Sequence, residues 1–123
     1  MEFKVLIVDD EKVNRNLLVG LINRIKTNPI IDTAIDGAEA KLKIAEEEPP
    51  FDLIITDVMM PGDVDGCGVL GEAKARYKYT KVIVISGVPD KLDLAINLGA
   101  DLTLAKPFGL ELLKKYILKQ FPN

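Results

Sequence analysis

The chain has 123 residues, 48% hydrophobic and 28% charged, a length and composition typical of one globular domain with enough apolar material for a core. Its net charge of -3 argues against a surface built to bind nucleic acid or anionic membranes. The chain has one cysteine and no histidine, which excludes an internal disulfide, a Cys/His zinc site and histidine-based catalysis.

Five short apolar runs predict β-strands. Three of them are nearly continuous in Val, Ile and Leu, which is typical of parallel strands covered on both faces. The second is the weakest and is expected near an edge of the sheet. The runs lie at residues 3–8, 30–35, 51–56, 81–86 and 102–105.

Amphipathic patterns after each strand predict five α-helices. The first has an apolar stripe at every fourth residue, which Leu18 and Ile22 widen; its members are Val13, Leu17, Leu21 and Ile25. Asp36 and Asp90 are expected to cap the second and fourth helices, and Gly99 to end the fourth. The third and fifth helices are predicted at 69–78 and 110–120.

This alternation predicts an α/β fold of (βα)5 type, a doubly wound five-stranded parallel sheet with helices on both faces. We expect one domain over residues 1–123, with no effector domain. The N-terminus lacks the pattern of a signal peptide, and apolar runs are far shorter than the roughly 20 residues that cross a bilayer. The sequence therefore predicts a cytoplasmic protein.

Polar side chains follow four of the predicted strands, at the edge where such folds bind ligands. They are Asp9, Asp10, Asp57, Ser86 and Lys106. Because clustered carboxylates repel one another, we expect a hard divalent cation between them, Mg²⁺ first and Mn²⁺ or Ca²⁺ as substitutes. A lysine and a hydroxyl suit a phosphate group, and a carboxylate can act as the nucleophile that accepts one.

The ordered segments "VLIVDDE", "DLIITDVMMPG", "VIVISG" and "GADLTLAKPF" resemble the receiver domain of two-component response regulators. The chain is similar to the stand-alone chemotaxis regulator of that family along its whole length. The resemblance implies a flavodoxin-like fold and a signalling switch that is not an enzyme acting on other substrates. It also implies a sensor histidine kinase or phosphotransfer protein as the phosphoryl donor.

By the same resemblance, Asp57 is the phosphoacceptor, Lys106 contacts the phosphoryl group and Ser86 is the hydroxyl that responds to it. The implied magnesium ligands are Asp10, Asp57 and the backbone carbonyl of Met59, with Asp9 acting through water. Thr103 departs from the family pattern, which usually has Tyr or Phe three residues before the lysine.

Output is expected through a protein-binding face formed by the fourth helix, the fifth strand and the fifth helix. The downstream partner is unknown, nucleic acid and membrane are not expected, and the chain would be a monomer or a phosphorylation-dependent dimer. Two alternatives stay open at this point. One is a Mg²⁺-dependent phosphohydrolase that forms an aspartyl phosphate, and the other is an unphosphorylated docking module.

Overall fold

The computed structural model describes residues 2–123, in which five β-strands alternate with five α-helices, as predicted. The strands are β1 (Lys4–Val8), β2 (Ile30–Ala34), β3 (Leu53–Asp57), β4 (Lys81–Ser86) and β5 (Leu102–Ala105). The helices are α1 (Lys12–Ile25), α2 (Gly37–Glu46), α3 (Gly66–Arg76), α4 (Pro89–Asn97) and α5 (Leu110–Gln120). No helix in this part of the chain combines the length and the apolar character that crossing a membrane requires.

All five strands are parallel, in the order β2-β1-β3-β4-β5, which confirms the doubly wound topology. The weakest strand, β2, lies at an edge, as expected. The chain first moves outward from β1 to β2 and then returns to the other side of β1 for β3. Because the winding direction changes between β1 and β3, the carboxyl ends of these two strands flank the crevice in which such folds bind ligands.

Alternating strand residues fill two separate cores, one on each face of the sheet. On the first face α1 and α5 cover Val5, Ile7, Leu53, Ile55, Ile83 and Ile85. On the second face α2, α3 and α4 cover Leu6, Val8, Ile54, Val82 and Val84. The inner strands β1, β3 and β4 are thereby buried on both sides, and this packing fixes the relative positions of their carboxyl ends.

The apolar stripe predicted for α1 is partly wrong. Val13 is 77% exposed and Leu17 51% exposed, whereas Leu18, Leu21 and Ile22 are buried, as predicted. Residues four apart on a helix advance by about 400°, so a stripe repeated every fourth residue drifts around the helix by about 40° per step. Only its later part therefore faces the sheet.

The helix termini agree with the sequence in part. The Asp36 carboxylate accepts a hydrogen bond from the Glu39 backbone N–H at 2.8 Å and caps α2, as predicted. Gly99 follows the end of α4 with a φ of +98°, which confirms its role in ending that helix. The prediction for Asp90 is wrong, because α4 begins at Pro89 after Val88 and Asp90 lies inside its first turn.

Candidate functional site

Three carboxylates meet at the carboxyl ends of β1 and β3. Asp9, Asp10 and Asp57 each present an oxygen atom, and these atoms all lie within 4.8 Å of one another. Asp9 and Asp57 are buried, at 4% and 5% exposure, whereas Asp10 is exposed to solvent. The structure therefore brings together the acidic residues that the sequence placed at two different strand ends.

Two residues that follow Asp9 in the sequence hold it in place. The Asp9 carboxylate accepts a hydrogen bond from the Glu11 N–H at 2.9 Å, and the Arg15 guanidinium donates to the Asp9 carbonyl at 2.8 Å. Burial is the main cause that raises the pKa of Asp9, and the charge of Asp57 adds to it although the Glu11 N–H opposes it. Asp9 is thus a carboxylate whose charge is costly where the fold places it.

Lys106 supplies the cationic side chain at this site. Its ammonium donates to the Asp57 carboxylate at 2.7 Å, across 49 residues of sequence. Burial lowers the pKa of Lys106, but the hydrogen bond and the charge of Asp57 outweigh it, so that the pKa is raised overall. The next peptide bond, Lys106–Pro107, is cis.

Ser86 ends β4 beside β3 and is fully buried. Its hydroxyl oxygen accepts a hydrogen bond from the Val88 N–H at 3.0 Å, and its carbonyl accepts one from the Lys106 N–H at 2.9 Å. The bond from Val88 occupies a lone pair and does not use the hydroxyl hydrogen. Ser86 can therefore donate that hydrogen to an anion, and Gly87 next to it has no side chain to obstruct one.

Met59 follows Asp57 in the turn between β3 and α3, and its side chain is 56% exposed. The turn is fixed where it meets α3, since the Gly66 N–H donates to the Val58 carbonyl at 3.0 Å. Asp65 caps α3 by accepting from the Gly68 N–H at 3.0 Å, and it lies 3.7 Å from the Lys91 ammonium of α4. Asp65 looks like a free turn residue in the sequence because both contacts depend on where α3 and α4 begin.

The site suits a hard divalent cation. Every available side-chain ligand is a carboxylate oxygen, and all three are close enough for one ion to reach. Within residues 2–123, one ammonium, that of Lys106, opposes their charges at hydrogen-bonding distance. A cation would relieve the repulsion that this arrangement leaves.

The protein-family model of the response regulator receiver domain matches residues 5–118 of the chain, which include every residue of this site. The chain belongs to the response regulator receiver domain family. It is therefore a signalling domain of the phosphoacceptor type. Both the fold and the family resemblance expected from its sequence are confirmed.

Relatives and solved structures agree with this assignment. The chain is 35% identical to the PilG protein of Pseudomonas aeruginosa over 98% of its own length and 88% of that protein. It is 34% identical to the probable C4-dicarboxylate response regulator DctR of Bacillus subtilis over 96% of its own length, but it spans only 52% of DctR. Among solved structures, the CheX–CheY–BeF3–Mg²⁺ complex of Borrelia burgdorferi matches with a TM-score of 0.84 and 31% identity, covering 98% of this chain and 90% of that one.

Proposed function

We propose that this receiver domain accepts a phosphoryl group on the carboxylate of Asp57, with Mg²⁺ bound between Asp9, Asp10 and Asp57. The observation that carries the proposal is the uneven charge at the end of β3. Oxygen atoms of three carboxylates lie within 4.8 Å of one another, and the Lys106 ammonium pairs with the carboxylate of Asp57, at 2.7 Å. A structural ion pair needs one carboxylate for one lysine, whereas a site for a cation and a phosphoryl group needs this surplus of acids.

Each residue then has a separate task. An oxygen of Asp57 attacks the phosphorus atom of the donor, the new O–P bond forms, and the bond from phosphorus to the donor's leaving atom breaks. Bound Mg²⁺ would supply positive charge to the transferring group and orient its oxygens. Lys106 would exchange its bond to Asp57 for one to a phosphoryl oxygen, and Ser86 would donate its hydroxyl hydrogen to another. The Met59 carbonyl would complete the protein ligands of the metal.

The chain would act as a switch and catalyse only its own phosphorylation and dephosphorylation. Two states in equilibrium differ in the positions of Ser86 and Lys106, and the phosphoryl group favours the state in which both contact it. The Lys106 N–H is already bonded to the Ser86 carbonyl at 2.9 Å, so movement at one residue is transmitted to the other.

The partners follow from this chemistry. The donor would be a sensor histidine kinase or a phosphotransfer protein in the cytoplasm, and BeF3 with Mg²⁺, present in the Borrelia CheY structure, would imitate the phosphorylated state here. A downstream protein would bind the face made of α4, β5 and α5. Of the nine residues of α4 only Ala95 is buried, and Leu94 and Ile96 are exposed, which leaves apolar surface for a partner. The single-domain organisation over residues 1–123 stays a prediction.

The proposal is tested by intact-protein mass spectrometry after incubation with acetyl phosphate and Mg²⁺. We expect the wild-type protein to gain the mass of one phosphoryl group only when Mg²⁺ is present, and the Asp57→Asn variant to gain none. Asp63→Asn is the matched control, because Asp63 is an exposed acid in the turn after β3 and should not alter the modification.

Two results would contradict the proposal. An unmodified wild-type protein in saturating Mg²⁺ would indicate a docking module that is not phosphorylated. Continuous release of phosphate from a phosphate ester over many turnovers would indicate a hydrolase instead.

A further inference from the structure

The main-chain carbonyl of Asp57 has a partner that the proposed chemistry does not use. The hydroxyl of Thr56, a fully buried side chain, donates to the Asp57 carbonyl oxygen at 2.9 Å. A valine would fill the same space in this strand and match its apolar neighbours better. The buried hydroxyl therefore makes a contact with the Asp57 carbonyl that apolar packing alone does not require.

The same carbonyl touches the first residue of α3. A Cβ atom added to Gly66 would lie 2.1 Å from the Asp57 carbonyl oxygen and 2.7 Å from the Cα atom of Val58. Both neighbours are backbone atoms, so no side chain can rotate away to make room. Glycine is the residue that allows α3 to begin directly against the Asp57–Val58 peptide.

These contacts join others that fix the peptide. The Val58 N–H of this peptide donates to the Ile85 carbonyl of β4 at 3.0 Å, and the carbonyl of the next peptide, that of Val58, accepts from the Gly66 N–H at 3.0 Å. The peptide is thus held by β4 on one side, by α3 on another and by the Thr56 hydroxyl at its carbonyl oxygen. A tilt of this plane would move the Asp57 carboxylate that precedes it and the Met59 carbonyl that follows it.

We propose that Thr56 and Gly66 are positioning residues, which set the orientation of the Asp57–Val58 peptide and through it the phosphoacceptor and the metal ligands. This inference rests on the proposed function of Asp57. A contact of 2.1 Å must open by more than 1 Å to reach the 3.4 Å at which ordinary van der Waals contact begins. A displacement of about 1 Å at reacting groups costs roughly 100-fold in rate, and functional sites need their groups held to within about 0.5 Å.

The experiment compares four variants with the wild type at a temperature at which circular dichroism shows each to be folded. Gly66→Ala adds the methyl group, and Gly71→Ala is its matched control, because a Cβ atom at Gly71 in the same helix meets nothing within 4 Å. Thr56→Val removes the hydroxyl at nearly constant volume, whereas Thr56→Ser retains it. The two readouts are the Mg²⁺ dissociation constant from NMR titration and the rate of phosphorylation by acetyl phosphate.

We expect Gly66→Ala to lower the phosphorylation rate at least tenfold and to weaken Mg²⁺ binding, and Gly71→Ala to change neither. Thr56→Val should lower the rate about threefold to tenfold, and Thr56→Ser should recover most of that loss, since a misplacement of a few tenths of an ångström costs less than one of 1 Å. A merely structural role would lower the melting temperature of the variants and leave the metal affinity and the rate of the folded protein unchanged.

The proposal is overturned if folded Gly66→Ala binds Mg²⁺ and is phosphorylated as the wild type is. If Gly66→Ala does not fold, equal rates for Thr56→Val and Thr56→Ser overturn it instead. A wild-type protein that is not phosphorylated contradicts the proposed function itself, and the Mg²⁺ affinities of the same variants then still decide whether the two residues orient the site.

Discussion

The two ends of the sheet both carry buried or half-buried charges, but only one end balances them. At the amino end, the Lys4 ammonium bonds the Pro49 carbonyl and pairs with Glu47, while the Asp52 carboxylate accepts the Lys4 N–H. Asp101 accepts from the Lys74 ammonium at 2.6 Å and from the Val82 N–H at 2.8 Å. Each of these charged groups has a fixed partner of opposite sign or a backbone group.

The carboxyl end differs in the ratio of carboxylates to ammonium groups rather than in how deeply these groups are buried. Asp9, Asp10 and Asp57 converge there, and Lys106 pairs only with Asp57. A fold selected for stability alone would have no use for that surplus of negative charge, since each carboxylate makes the others harder to ionise. The comparison teaches that an excess of carboxylates over ammonium groups, and not the presence of buried charge, separates the candidate functional end from the structural one.

The largest effect is expected from breaking the balanced end. Asp101→Ala removes the acceptor of one ammonium and one backbone N–H, and leaving such groups unpaired should lower the free energy of unfolding by about 3 kcal/mol. Urea denaturation in Mg²⁺-free buffer measures the change. The exposed Asp63→Ala is the control and should stay within about 0.5 kcal/mol of the wild type.

Mg²⁺ should stabilise the protein only through the carboxyl end. At 100 times the dissociation constant, a ligand that binds only the folded state adds about 2.7 kcal/mol to the free energy of unfolding. We expect this increment in the wild type and in Asp101→Ala, and its loss in Asp10→Asn, which alters an exposed acid of the site. Paired urea titrations with and without Mg²⁺ measure it, and an equal increment in Asp10→Asn would argue against the metal site.

Neutralising an acid at the carboxyl end should stabilise the metal-free protein. Asp9→Asn keeps an oxygen that can accept the Glu11 N–H but removes a charge that burial and Asp57 disfavour. We expect a gain in the free energy of unfolding at neutral pH without Mg²⁺, opposite in sign to the effect of Asp101→Ala. A loss of stability in Asp9→Asn would mean that the two ends do not differ as described.

The smallest expected effect is the pH dependence of the stability that Asp9→Asn gains over the wild type. Because the fold raises the pKa of Asp9 above its ordinary value of 3.8, the folded state binds this proton more tightly than the unfolded chain does. The stability that Asp9 contributes is thus fully present below pH 3.8 and is lost as the pH rises through the raised pKa. The advantage of Asp9→Asn over the wild type should therefore be absent at low pH and grow with pH, and an advantage independent of pH would contradict this cause.

The sequence predicts that the polar side chains converge, because one rule of parallel sheets places them at the same edge of the sheet. Asp57 ends β3, and Asp9, Asp10 and Lys106 follow the ends of β1 and β5, so their convergence requires only the strand order. Helix faces were harder to predict. Val13 fits the periodicity of α1 and yet is exposed, because a stripe repeated every fourth residue drifts around the helix.

The contacts that the sequence did not predict are long-range or involve backbone atoms. Asp101 bonds Lys74 across 27 residues, and no local pattern indicates this pair. Gly66 and Thr56 look like ordinary turn and strand residues until the Asp57 carbonyl is found between them. The chemistry of the site is thus encoded locally at strand ends, whereas its alignment depends on the packing of α3 against β3.

The central claim, that Asp57 is the phosphoacceptor, is tested most directly by locating the phosphoryl group. Treatment of the acetyl-phosphate-modified protein with borohydride reduces an aspartyl phosphate to an alcohol, and tandem mass spectrometry of the resulting peptides then identifies the altered residue. The account predicts a reduced side chain at Asp57 in Mg²⁺-treated protein and at no other aspartate. Reduction at Asp9 or Asp10 instead, or a phosphoryl group retained on a serine or threonine, would contradict it.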